Sequence, residues 1–128
     1  MNDSVSISSL IKQDFTVENR TETHIWYADE PMDLGGKDED PKPTELFLSS
    51  LASCILITVR MVAQRKGWNT GVISIELTMN HREKGVEIVK HILFENQLEE
   101  EQVKRLLDVS NRCPVAKILS NPIEFKFV

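Results

Sequence analysis

The chain has 128 residues, 41% hydrophobic and 27% charged, the balance of a globular protein long enough to bury a core without disulfide or metal staples. Disordered, collagen-like and low-complexity classes are excluded, and one domain over residues 1–128 is the expectation. The formal net charge is −5, and basic residues are scattered rather than gathered into a tract, which argues against a nucleic-acid surface.

The opening "MNDSVSISSLIKQDF" has no basic region followed by an apolar one, so it does not read as a secretory signal, and a cytoplasmic location is expected. The first thirty residues are rich in β-branched and aromatic positions, in "VSISSLI", "DFTVEN" and "THIWYA", and predict an antiparallel meander. In "DEPMDLGGKDEDPKP" two glycines, three prolines and clustered acids mark a loop.

Pro43 suits the first turn of a helix, where its missing N–H has no intrahelical partner, and Glu45 puts negative charge near the positive end of the dipole. The helix can run to about Lys66, roughly 35 Å, before Gly67 stops it. Its most membrane-like part, "LFLSSLASCILITV", has fourteen residues between Glu45 and Arg60. A span takes about 20 apolar residues, so a core helix is expected and no membrane partner. Leu46, Phe47, Leu48, Leu51, Ile55, Leu56, Ile57, Val59, Met61 and Val62 run nearly all the way round it. A helix tolerates that only when covered on most sides, and an intimate homodimer is the natural hypothesis.

"VISIELTMN" alternates with period two and predicts a strand; "REKG" turns the chain and "VEIVKHILFE" returns. One face of the second strand is Val86, Ile88, Ile92 and Phe94, interrupted by Lys90. "LEEEQVKRLLDVSNR" predicts an amphipathic helix with a stripe of Val103, Leu106, Leu107 and Ser110. Pro114 ends that ladder near Cys113 and begins a short helix, "PVAKILS", before a last strand, "IEFKF".

The candidate chemistry lies in the two cysteines. Buried cysteine is mostly a small hydrophobe, so inert packing is one reading and a chemical pair the other. Cys113 precedes Pro114, where a helix N-terminus would favour its thiolate; Cys54 sits in mid-helix and would need a nearby cation. The pair lacks C-x-x-C spacing, and nothing pairs His24, His81 or His91 as metal ligands. "DLGGKD" has neither phosphate-loop nor dinucleotide spacing, so its glycines read as turn formers.

Taken in order, "DEPMDLGG", "PKPTELFLSSLASCILITVRMVAQRKGW" and "LEEEQVKRLLDVSNRCPVAKILS" resemble the OsmC/Ohr family of osmotically inducible and organic hydroperoxide resistance proteins, from about Thr21 to the C-terminus. The resemblance implies an α+β, two-layer fold of antiparallel sheets with a long central helix, in an element-swapped homodimer with sites at its interface. It implies that Cys54 attacks an organic hydroperoxide as a thiolate, that Cys113 resolves the sulfenic acid to a disulfide, and that an external dithiol, in one branch a lipoyl protein, reduces it without a bound cofactor. The family supplies an arginine from the N-terminal strands, for which Arg20 is the candidate. Peroxidase branches carry a glutamate ten residues before the reactive cysteine; this chain has Thr44 there and Glu45 one place later, about 180° from Cys54 on an ideal helix. The implied alternatives are a non-catalytic dimer holding a small apolar ligand at its interface and a redox-sensing protein.

Overall fold

The structure is a computed structural model and describes residues 4–128, which divide into two compact units, one ending at Phe47 and the other running from Leu48 to Val128. In the first unit, β1 (Ser8–Ile11), β2 (Val17–Arg20) and β3 (Ile25–Ala28) form an antiparallel sheet in that order, as the meander pattern predicts. Ser8 pairs with Arg20 and Ile11 with Val17; Val17 in turn pairs with Ala28 and Arg20 with Ile25. Ladder pairing begins only at Ser8, later than the apolar pattern of "VSISSLI" suggests.

The glycine- and proline-rich loop that follows has one organiser. Asp29 is buried, and its carboxylate accepts the backbone N–H of Glu30 at 2.8 Å and those of Lys37 and Glu39 at 3.3 Å. Three donors on one carboxylate tie both arms of the loop to the end of β3. Glycine at position 36 is what lets the arms meet, because a Cβ there would lie 1.9 Å from the Glu30 carbonyl oxygen.

Helix α1 (Pro43–Lys66) starts and stops at the residues the sequence marks. Glu45 accepts the Lys42 N–H at 3.0 Å, and Gly67, at φ 70°, turns the chain so that the Trp68 N–H reaches the Ala63 carbonyl at 2.9 Å. Leu51, Ile55, Val59 and Ala63, four residues apart, form its buried stripe. By length and composition α1 could cross a bilayer; in this fold its stripe packs against the rest of the second unit. The opposite side is uncovered in the single chain: Ile57 is 60% exposed and Met61 46%.

Strands β4 (Ile73–His81) and β5 (Val86–Phe94) form the expected hairpin, in register from Ile73 opposite Phe94 to His81 opposite Val86. Its inner face, Ile73, Ile75, Leu77, Ile88, Ile92 and Phe94, packs against the core of α1, Leu106 and Cys113. Helix α2 (Glu100–Ser110) opens with a capping box between Glu99 and Gln102 and buries Leu106, Val109 and Ser110. Leu107 is 42% exposed, so the buried stripe differs from the expected one: the three-residue step from Leu106 reaches Val109, while Leu107 lies about 100° off that line.

Helix α3 (Pro114–Leu119) follows directly. The last predicted strand is not formed: residues 121–128 belong to no helix or strand, with Phe125 86% exposed. "IEFKF" carries the right alternation, but a strand also needs a neighbouring edge to pair with, and this segment pairs with none in the single chain.

Candidate functional site

Cys54 lies one turn beyond Leu51 on α1, half-buried at the edge of the stripe that meets the core. Cys113 reaches the same place from the other direction. Helix α2 ends at Ser110, and Cys113 takes an extended conformation, φ −68° and ψ 154°, because the ring of the following proline disfavours a helical one. Its side chain is fully buried.

Pro114 then sets the geometry. It is the first residue of α3 and has no N–H, so the first backbone donor of that helix is Val115. The Val115 N–H is directed at Cys54, donating to Sγ at 3.4 Å. Two cysteines 59 residues apart are thereby joined through one short helix, and Cys54 packs against the buried cluster that contains Cys113, both thiols reduced.

Sequence reasoning assigns the helix terminus to Cys113 as a means of favouring its thiolate. The structure reverses that expectation. Burial pushes the Cys113 thiol above its ordinary value, and the neighbouring Cys54 adds to the rise; the backbone N–H groups of Ala116 and Val115 oppose it without overcoming it. Cys113 is therefore a protonated thiol at neutral pH, and the Val115 N–H, one of the two donors that oppose the rise, also donates to Cys54. The signal for Val115 was in the sequence, since a Cys-Pro pair that opens a helix displaces the first available N–H by one residue.

Of the four predicted site residues, the second unit brings together Cys54 and Cys113. Arg20 and Glu45 belong to the first unit. There the Arg20 guanidinium pairs with Glu18 at 3.1 Å, and Glu45 caps the start of α1 through the Lys42 N–H. Arg60 donates to Thr70 Oγ1 at 3.1 Å and to the Gly71 carbonyl at 2.8 Å, tying α1 to the approach to β4. His24, His81 and His91 are exposed, and among the described residues no group of three or more His, Cys, Asp or Glu side chains could hold a metal.

Chemically, the arrangement can accommodate a change at one sulfur that the other completes. A thiolate at Cys54 would receive a backbone hydrogen bond, and an oxidised Cys54 would find a second thiol within reach.

Comparison with known proteins agrees with this architecture. The model of the OsmC-like protein family matches residues 36–128. Among solved structures, a candidate osmotic stress induced and detoxification response protein from Psychrobacter arcticus superposes with a TM-score of 0.78 at 23% identity, over 92% of this chain and 90% of that one. An OsmC-like protein from Mycoplasma pneumoniae gives 0.75 at 20% identity, over 94% and 90%. An organic hydroperoxide resistance protein from Legionella pneumophila gives 0.66 at 20% identity, over 91% and 89%. No curated protein matches the sequence. At these identities the structures establish the fold, and the family model covers most of the chain, including both cysteines: this protein belongs to the OsmC-like family.

Proposed function

We propose that this protein is a thiol-dependent peroxidase that reduces organic hydroperoxides, with Cys54 as the attacking thiolate and Cys113 as the resolving thiol. One observation carries the reading: two reduced cysteines from distant parts of the chain come together in the core of the second unit, with Cys54 packed on the cluster that holds Cys113 and the Val115 N–H on the sulfur of Cys54. Cys54 S⁻ attacks the distal peroxide oxygen, the O–O bond breaks, and the alkoxide leaves and takes up a proton as the alcohol. Cys54 is then a sulfenic acid. Cys113 S–H condenses with it, forming the S–S bond and releasing water, and an external dithiol reduces the disulfide by exchange while becoming a disulfide itself. A lipoyl-protein dithiol fits that last role.

A resolving thiol that stays protonated at rest suits this sequence, because it does not compete with Cys54 for peroxide. Several structural relatives are named organic hydroperoxide resistance proteins, those of Legionella pneumophila and Elizabethkingia anophelis among them. The working unit we propose is a homodimer, for which the uncovered side of α1 at Ile57 and Met61 is the support. Arg20 and Glu45 are the proposed supporting residues for Cys54, in an assembly whose second copy can bring further groups to each site.

The test is oxidation of the reduced protein by cumene hydroperoxide, followed by thiol titration and mass spectrometry. Wild type should lose both thiols to one disulfide. Cys113→Ser should stop at a single sulfenic acid, and Cys54→Ser should consume no peroxide. A wild type that keeps both thiols under excess hydroperoxide would overturn the reading in favour of a ligand-binding member of the family, in line with Thr44 standing in the place of the peroxidases' glutamate.

A further inference from the structure

A single backbone donor serves both sulfurs of the second unit. The Val115 N–H donates to Cys54 Sγ at 3.4 Å and also acts on the Cys113 thiol, which receives the Ala116 N–H as well. Cys54 packs on the buried cluster to which Cys113 belongs, and both are free thiols. Two sulfurs that share one N–H are neighbours in space, as a small bridging atom requires, and three properties of their surroundings narrow what that atom can be.

The first is the number of ligands. Among the described residues no group of three or more His, Cys, Asp or Glu side chains gathers to hold a metal, so a four-coordinate zinc or an iron–sulfur cluster has too few donors, and only a centre satisfied by two sulfurs fits. The second is charge. Cys113 is fully buried, and burial pushes its thiol up, so the site resists anionic sulfur. A copper(I) ion held by two thiolates keeps a net negative charge, whereas a trivalent arsenic bearing one carbon group and two sulfurs is neutral. The third is space. A cavity of about 310 Å³ adjoins the pair, with apolar walls from Leu51, Ile88, Ala116 and Leu119. Leu51 is one turn of α1 from Cys54, and Ala116 follows Val115. The cavity has room for an aryl or short alkyl group.

We propose that Cys54 and Cys113 capture monosubstituted trivalent arsenicals, R–As(OH)₂, as a cyclic dithioarsonite with the R group in the cavity. The step is a double condensation without change of oxidation state. Each S–H gives its proton to an arsenic hydroxyl, two As–S bonds replace two As–O bonds, and two waters leave. No thiolate has to persist in the buried site, which suits the protonated Cys113. Half-buried Cys54 is the point of entry, and Cys113 then closes the ring as an intramolecular thiol, at an effective concentration in the millimolar range or above. An occupied pair can no longer react with peroxide, so capture and the proposed peroxidase activity compete for the same sulfurs. The binding itself does not rest on the peroxidase reading.

The test adds phenylarsine oxide, hydrated in water to the dihydroxy form, to the full-length reduced protein. Intact mass spectrometry should show one equivalent bound and thiol titration the loss of both thiols, with release by a dithiol such as dimercaptopropanol and resistance to a millimolar monothiol. Cys113→Ser and Cys54→Ser should each bind about a hundredfold more weakly and give the arsenical up to the monothiol, with circular dichroism checking that both variants fold. The cavity's share is read from the affinity for phenylarsine oxide relative to inorganic arsenite, a ratio that should exceed the same ratio for dithiothreitol by about tenfold. Two equivalents bound to wild type, release by the monothiol, or undiminished binding in a folded single-cysteine variant would overturn the proposal. A ratio no larger than that of dithiothreitol would overturn the placement of R in the cavity. One-to-one capture by a protein that no hydroperoxide oxidises would sink the peroxidase reading alone, and disulfide formation under hydroperoxide without arsenical capture would sink this proposal alone.

Discussion

At Cys113 two influences oppose each other, and burial wins. A thiol at the start of a helix would normally ionise early, but this one is sealed in the core of the second unit, and its extended backbone turns the first helical donor toward Cys54. In Cys54→Ser, the remaining thiol should therefore alkylate with iodoacetamide only at pH values above the ordinary thiol range of about 8.5. Rapid alkylation of Cys113 near pH 7 would contradict the assignment. Asp29 is the opposite case. The Glu30 N–H first of all holds its carboxyl below the usual aspartate value; burial opposes this, and the Glu39 and Lys37 N–H groups and the Lys37 charge assist. A depressed folded value means that the stabilisation is complete above the unfolded value of about 3.9 and is lost as pH falls through the folded one. Asp29→Asn should accordingly melt below wild type by a constant margin above pH 5, and the margin should shrink on acidification below pH 4. Thermal melts across pH 2–6 would measure it, and a margin independent of pH throughout would refute the assignment.

Among the elements, α1 carries most of the argument. Its limits at Pro43 and Lys66 were legible because both are set by local chemistry, a proline that fits a first turn and a glycine free to adopt φ 70°. The hairpin was legible for the same reason, since period two and Gly85 at φ 83° are properties of short stretches. What depends on distant neighbours was not. The sequence left open whether Cys54 and Cys113 meet, because 59 residues separate them, and it could not show which of the ten apolar residues on α1 are covered. The structure distinguishes two isoleucines two positions apart: Ile55 is fully buried and Ile57 is 60% exposed. Ile55→Ala should cost about 2–5 kcal/mol in urea unfolding, the usual cost of a cavity in a core. Ile57→Ala should stay within about 0.5 kcal/mol where the chain is monomeric, and exceed that where a second copy covers it. Measuring both variants over a hundredfold range of protein concentration separates the two states.

For the whole molecule, the unformed strand at the C-terminus bears on how many chains work together. Residues 123–127 alternate Ile123, Phe125 and Phe127 with Glu124 and Lys126, the pattern of a strand with one face against apolar neighbours, yet Phe125 and Phe127 are fully or almost fully exposed. Aromatic side chains bury 150–250 Å² each when covered, so leaving two in water sacrifices several kcal/mol that a paired strand would recover. Among the described residues the β4–β5 sheet has two strands, and a two-stranded sheet is marginal without further support. The proposed homodimer would answer both needs if the tail of one copy is covered by the other. The Phe125→Ser, Phe127→Ser double variant should then shift toward the single-chain mass in sedimentation equilibrium at micromolar concentration, while wild type holds at twice that mass. Far-ultraviolet circular dichroism should show less strand in the variant than in wild type, since the segment would lose the edge it pairs with. A wild type that sediments as one chain would refute the homodimer, and a double variant that stays dimeric with its strand content intact would remove the tail from the interface.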